Sequence, residues 1–231
     1  MSLDTPSKIR RGMNRQLLSL QACLTKGHRR LGWKVGFNLL ADQQRLGLPS
    51  LMTGYLTTER FVASGARWEA LPTSVLLAEP EVAVQIGRNV GPGATAADAG
   101  SAIEFYAAAL ELVDTTRSVN DDIEEILAGN MFHEAVLIAD KRVSANEYSR
   151  KDLKASLSIN GVEVRTLEQS RIPQDFGALV AVVANILATH GEQLKAGDWI
   201  ITGAATKAVA VHGGDRVGLD MGQLGTASLV V

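Results

Sequence analysis

The sequence predicts an α+β fold dominated by mixed β-sheet, and three observations carry that reading. Short apolar segments rich in strand formers recur along most of the chain, many of them bounded by glycine or proline. Long helix-period patterns are few, the clearest lying near the N-terminus and between Phe176 and His190. Strands and helices do not alternate regularly, as a doubly wound fold would require. With 231 residues the chain can bury a sizeable core. It divides into an N-terminal helical appendage over residues 1–31 and a main domain over residues 32–231.

Composition excludes several classes of function. A hydrophobic content of 46%, a charged content of 21% and a formal net charge of -2 describe an ordinary globular chain. Basic residues are scattered and aromatics make up only 5%, so neither the electrostatic nor the stacking surface of a nucleic-acid binder is present. Cys23 is the sole cysteine, which rules out an internal disulfide and a cysteine metal cluster and fits a reducing cytoplasm. The basic start, Met1 to Arg11, leads into no apolar signal region, and no run of about eighteen apolar residues predicts a membrane span.

Met13, Leu17, Leu20 and Leu24 recur at spacings of three and four, which predicts an amphipathic helix from Arg10 to Arg30 that ends near Gly27. Its apolar stripe packs on the body of the protein or on a second subunit. Leu31 to Asn38 reads as a strand, and Lys34 is its puzzle. Lys34 shares a face with Gly32 and Gly36, which leaves open space around the ammonium. A solvated edge lysine is the common case; the alternative is a lysine beneath a pocket, available as an acid or base. Leu39 to Leu46 predicts a short helix closed by Gly47.

Short β segments follow at Gly54 to Leu56 and Phe61 to Ala63, then a long strand from Val75 to Ile86. Thr95 to Asp98 carries a capping pattern, so Ala99 to Ala109 is expected to be helical before a strand at Leu110 to Asp114. Val119 to Asn130 is acidic and reads as a solvated helix or turn. His133 and Glu134 are adjacent, face different directions and make a poor pair of metal ligands. Asn160-Gly161 is the strongest hairpin signal. Phe176 to His190 predicts a helix, and Trp199 to Gly203, Val209 to Val211, Arg216 to Met221 and Thr226 to Val231 predict strands.

Chemistry concentrates in Glu79 and Glu81, two carboxylates on one face of a largely apolar strand. Like charges so placed need water, a cation or a basic group to offset them. Glu111 is a third acid among apolar residues, and it too calls for a partner. Three glutamates without histidine form an oxygen-only donor set that suits Mg²⁺ first, with Mn²⁺ or Ca²⁺ possible. Such a cation would leave positions for the carboxylate and keto oxygens of a 2-oxo acid. Thr202-Gly203 would let backbone N–H groups approach a substrate carboxylate, the Thr202 hydroxyl adding a donor.

The ordered set Gly32 to Phe37, Gln43 to Gly47, Gly54 to Leu56, Glu79-Pro80-Glu81, Leu110 to Asp114, Leu194 to Asp198 and Ile201 to Gly203 resembles the fumarylacetoacetate hydrolase superfamily. Within it the chain is most similar to the 2-keto-4-pentenoate hydratases and 4-oxalocrotonate decarboxylases. The resemblance implies a mixed-β fold with Glu79, Glu81 and Glu111 as ligands of Mg²⁺ or Mn²⁺ and Lys34 as the catalytic lysine. It also implies Asn130, Thr202 and Gly203 as substrate-binding residues, a small 2-oxo acid as substrate and a homo-oligomeric state. The expected reaction is that of a hydratase-type lyase, with decarboxylation second, C–C hydrolysis third and a non-catalytic oxo-acid-binding relative as the last alternative. Three positions depart from the hydratase pattern: Met52 replaces an acid, Gly129 an aspartate and Ala204 a serine.

Overall fold

A computed structural model describes residues 4–71, 73–117 and 122–231. Its elements are α1 (Thr5–Thr25), β1 (Arg30–Gly36), α2 (Leu40–Leu46), β2 (Met52–Thr57), β3 (Leu76–Ile86), α3 (Ala96–Gly100), β4 (Ile103–Asp114), α4 (Ile123–Ala128), β5 (His133–Ile138), β6 (Val143–Ser144), β7 (Ser156–Ile159), β8 (Val162–Thr166), α5 (Phe176–Thr189), β9 (Trp199–Ala204), β10 (Val209–Val211), β11 (Arg216–Asp220) and β12 (Thr226–Val230). The expected α+β fold, dominated by mixed sheet with a helix at its N-terminus, is the one observed.

The larger sheet runs in the order β2-β1-β9-β3-β4-β5, with β10 added to β3 and β6 to β4. The β1–β9 pair is parallel and the other pairs of this sheet are antiparallel. The sheet curls until its ends meet: Phe61, just past β2, bridges Val136 of β5, and the Val62 N–H donates to the Val136 carbonyl at 2.9 Å. Alternation along the strands then sorts side chains between the inside and outside of the curl. Inside lie Leu56, Ala83, Ala107, Ala109, Val136, Ile138, Trp199 and Ile201, while Val82, Val84, Ile86, Ala108, Leu110 and Leu112 face the main core. Small residues dominate the inner face of β3 and β4 because the curl leaves little room there.

That geometry explains a difference from expectation. Ala99 to Ala109 is strong helix-forming material, yet the helix stops at Gly100 and Ala107 to Ala109 belong to β4. The Thr95–Asp98 capping box forms as predicted, but packing inside the curl outweighs the modest intrinsic preference of alanine for helix. Pro80 likewise sits mid-strand without disrupting the ladder. Its carbonyl accepts from Ala205 N–H at 2.7 Å, so its nitrogen faces the same edge of β3, at the junction between the β10 and β9 pairings. The missing donor falls where no ladder bond is needed.

The smaller sheet, β12-β11-β7-β8, is antiparallel throughout. Its β7–β8 hairpin turns at Asn160 (φ 53°) and Gly161 (φ 82°), as the Asn-Gly signal predicts. Gln169–Thr189 is apolar and long enough to cross a membrane by composition alone. Its helical part, α5, spans only 14 residues and buries eight of them in the body of the protein.

The N-terminal helix is shifted toward the chain start relative to its predicted span and ends at Thr25. Met13 and Leu20 of the predicted stripe are fully buried, and Leu17 and Leu24 pack against the core. α1 docks on α4, whose acidic residues pair with it rather than face solvent alone: Lys8 with Asp122 at 3.0 Å, Arg11 with Glu124 at 2.7 Å, and Arg15 with Glu125. Val119, Asn120 and Asp121 of that predicted acidic segment lie outside the described residues. Such half-exposed pairs contribute little each. Burial of Met13, Ile123, Ile126 and Leu127 in a shared cluster does more to hold the helices together.

Candidate active site

Register brings the three acids together. Glu79 of β3 stands directly opposite Glu111 of β4, and Glu81 lies two residues along on the same face of β3. One carboxylate oxygen from each lies within 4.8 Å of the others. Glu81 and Glu111 are buried and Glu79 is half-buried. Glu81 Oε2 accepts from the Gly203 N–H at 2.6 Å, whereas Glu81 Oε1 is buried with no hydrogen-bond partner among the described residues.

Lys34 is at the centre of β1 and only 3% exposed, so the solvated-edge reading fails. Its ammonium lies 2.6 Å from Glu111 Oε1 and donates to the Met131 carbonyl at 3.0 Å. Nor do Gly32 and Gly36 leave open space: Gly32 abuts the backbone of Trp199 and Gly36 abuts Met131 Sδ. The glycine that makes room for the lysine is Gly54 of β2, its cross-strand partner, where a Cβ would come within 2.9 Å of Lys34 Cγ.

His133 Nδ1 also bonds Glu111 Oε1, at 2.7 Å. Alternation alone would point it away from Glu111. A bulge between the Leu112–Ala135 and Val113–His133 pairs turns it onto the acid's face and leaves Glu134 to bond Arg60 and Trp68. His133 and Glu134 therefore diverge, as expected, but His133 belongs to the site. A bulge of this kind leaves no mark in the residue pattern.

Burial pushes the Glu79 carboxyl up to about 7, with Glu111 adding to the rise. Burial, then Glu111 and Glu79, raise Glu81 well above the usual carboxylate range. Burial also works against the charged form of Glu111, but Lys34 and His133 together hold it below its ordinary value. His133 is itself held down by burial, against the pull of Glu111. The result is one firmly ionised acid beside two that favour a proton in the absence of a cation.

A cavity of about 240 Å³ opens over this cluster. Lys34, Glu79, Glu111, Phe37, Asp42, Met131, Phe132, Arg171, Gly203 and Ala204 are among its walls. Gly203, with φ 99°, takes a conformation that favours glycine, and a Cβ there would collide with the Asn38 side chain. Thr202 is fully buried and its hydroxyl donates to the Val82 carbonyl at 2.9 Å. Asn130 clamps Tyr55 of β2, Oδ1 accepting from its N–H at 2.9 Å and Nδ2 donating to its carbonyl at 3.0 Å. Asn130, Met131 and Phe132 all have positive φ, from 50° to 63°. Three consecutive left-handed non-glycine residues cost about 1–2 kcal/mol each, and the Asn130 clamp offsets part of that strain. The turn aims the Met131 carbonyl at Lys34.

The curled mixed sheet with an all-oxygen acid cluster at its mouth defines a β-rich α+β protein with a site fit for a hard cation. The model of the fumarylacetoacetate (FAA) hydrolase C-terminal family matches residues 41–231, and the chain belongs to that family. Its relatives include a 4-oxalocrotonate decarboxylase from Pseudomonas sp, 27% identical over 226 residues that cover 97% of this chain and 88% of the relative. A 2-keto-4-pentenoate hydratase from Dechloromonas aromatica is 27% identical over 216 residues, covering 92% and 82%. The solved 4-oxalocrotonate decarboxylase of Pseudomonas putida G7, complexed with magnesium and adipate, shares the fold with a TM-score of 0.85 at 24% identity, over 93% of this chain and 82% of that one.

Proposed function

We propose that the protein is a divalent-metal-dependent lyase acting on a small unsaturated 2-oxo acid. Glu79, Glu81 and Glu111 hold the metal, Mg²⁺ or Mn²⁺, and Lys34 handles a proton. The observation that carries this reading is the convergence of three carboxylates with one buried oxygen, Glu81 Oε1, left without a partner among the described residues. One ammonium cannot balance three acids, and an all-oxygen donor set fits a hard cation. When bound, such a cation would draw charge from the carboxylate and keto oxygens of the substrate and stabilise electron density spreading from the neighbouring carbon.

The remaining roles fall to the chain itself. Gly203 fixes Glu81 through its N–H, makes room for the Asn38 side chain and forms part of the wall against which the substrate would lie. Thr202 and Asn130 support the site from behind, through Val82 and Tyr55. Lys34 is held between Glu111 and Met131 with its ammonium at the cavity wall, placed to give a proton to a substrate carbon.

Of the two reactions named for its relatives, decarboxylation suits the pocket better than the hydration expected from resemblance. Met52, where hydratases carry an acid, is buried in an apolar cluster with Met131, so no carboxylate there can orient a water. Loss of CO₂ breaks a C–C bond and leaves its electron pair conjugated with the keto group; Lys34 then protonates the carbon and is reprotonated from solvent. Hydration is the second reading, favoured by Asp42, which lines the cavity and supplies a different carboxylate to take a proton from water. The test is to incubate Mg²⁺-loaded protein separately with 4-oxalocrotonate and 2-hydroxypenta-2,4-dienoate, following CO₂ and loss of the diene. Release of CO₂ from the first alone supports decarboxylation, consumption of the second alone supports hydration, and neither overturns the lyase reading.

A further inference from the structure

The cavity has a second basic residue that the chemistry above leaves unused. Arg171, in the short 3-10 turn Gln169–Arg171 after β8, lines the same wall system as Lys34 and Glu79. The side chain is 21% exposed, so its guanidinium is largely shielded yet accessible from the cavity.

The loop around Arg171 is built to hold it still. Arg150 donates to the carbonyls of Gln169, Ile172 and Pro173, pinning the turn from both sides. Glu168 accepts from the Lys207 N–H at 3.0 Å through one oxygen and from Arg171 Nε at 3.0 Å through the other. This uses the Nε edge of the guanidinium and leaves both terminal nitrogens without a hydrogen bond among the described residues. Lys34, by contrast, is committed to Glu111 and the Met131 carbonyl. The other ionisable groups described on the cavity wall, Asp42, Glu79 and Glu111, are acids. Arg171 is therefore the cavity cation whose two terminal nitrogens are both uncommitted among the described residues, and a planar fork of N–H groups matches a carboxylate.

We infer that Arg171 is a specificity-determining residue that binds a second carboxylate at the far end of the substrate, so that the preferred ligand is a 2-oxo dicarboxylic acid rather than a monocarboxylic one. The inference rests on the 2-oxo acid reading given above. The metal set receives the 2-oxo acid end, and Arg171 receives the distal end. A cavity of about 240 Å³ restricts the chain between them to a few carbons.

The test compares two saturated acids of equal length that differ only in the terminal group, 2-oxoadipate and 2-oxohexanoate, by calorimetric titration into Mg²⁺-loaded protein. Wild type is expected to bind the diacid at least about tenfold more tightly, as a charge-assisted hydrogen bond implies. Arg171→Met is expected to bring diacid affinity to the monoacid level while leaving monoacid affinity unchanged. Arg171→Lys should recover part of the preference, because it restores the charge without the fork. Equal binding of the two acids by wild type, or an undiminished preference in Arg171→Met, overturns the assignment of Arg171 and leaves the 2-oxo acid reading standing. Binding of neither acid overturns both.

Discussion

The Lys34 ammonium and the Glu111 carboxylate meet at 2.6 Å although their strands, β1 and β4, are separated in the sheet by β9 and β3. Along a flat sheet three strand spacings amount to about 14 Å. The contact exists because the sheet curls and both side chains project to its inside.

Lys34→Met tests that contact. It leaves Glu111 buried with His133 as its remaining polar partner in the pair of bonds on Oε1, and removing one member of a buried ion pair costs about 3–5 kcal/mol. Loss of a proton-transfer group lowers turnover by about 10² or more. We expect both a lower melting temperature without metal and a lower kcat at saturating Mg²⁺. A kcat close to wild type would remove Lys34 from the chemistry.

Glu81→Gln separates charge from shape. The amide oxygen can still accept from the Gly203 N–H, but it cannot ionise to meet a cation. Titration with Mn²⁺ is expected to show affinity lowered by at least about tenfold, one lost charge-assisted contact. The metal-free variant should be no less stable than wild type, since the amide is neutral like the protonated acid that burial favours there. Unchanged Mn²⁺ affinity would exclude Glu81 as a ligand.

The pH dependence of metal binding follows from Glu79 and Glu81. Both are raised above the ordinary glutamate value, Glu79 to about 7, so the folded chain holds their protons more tightly than the unfolded chain does. Their favourable contribution is complete below the unfolded value of 4.5 and is lost as pH rises through about 7. A cation competes with those protons. The rise in melting temperature produced by Mg²⁺ should therefore grow between about pH 5.5 and 7.5, as followed by thermal unfolding with and without the metal. A shift independent of pH would contradict proton–metal competition at these acids.

Gly54→Ala probes the space that Lys34 occupies. The added methyl would lie 2.5 Å from Asn130 Oδ1 and 2.9 Å from Lys34 Cγ, so one of them must move. Overpacking of this kind costs about 1–3 kcal/mol. Because the displaced groups position the ammonium, kcat should fall by more than the stability change alone explains. Activity equal to wild type in the folded variant would show that Lys34 tolerates displacement.

Much of the site was legible because it depends on local periodicity. Two acids two apart on a strand share a face wherever the strand lies, and the Asn160-Gly161 turn needs only its own two residues to take positive φ. The partners of those acids were less legible. Glu111 could be recognised as an acid needing compensation, but the Glu79–Glu111 register, the burial of Lys34 and the bulge that recruits His133 are long-range outcomes. Arg171 gave no signal, since nothing local distinguishes it from a solvated arginine.

The sequence by itself determined the class of fold, the all-oxygen character of the acid set and the hairpin, each through side-chain periodicity or backbone preference acting over a few residues. Only the tertiary structure decided that Ala107 to Ala109 lie in a strand, that Lys34 is buried, and that His133 and Arg171 reach the cavity. The reason is the curl of the sheet. It makes the inner face narrow enough to favour alanine over longer side chains, brings nonadjacent strands into contact, and places a lysine and three acids where water is scarce and their charges interact strongly.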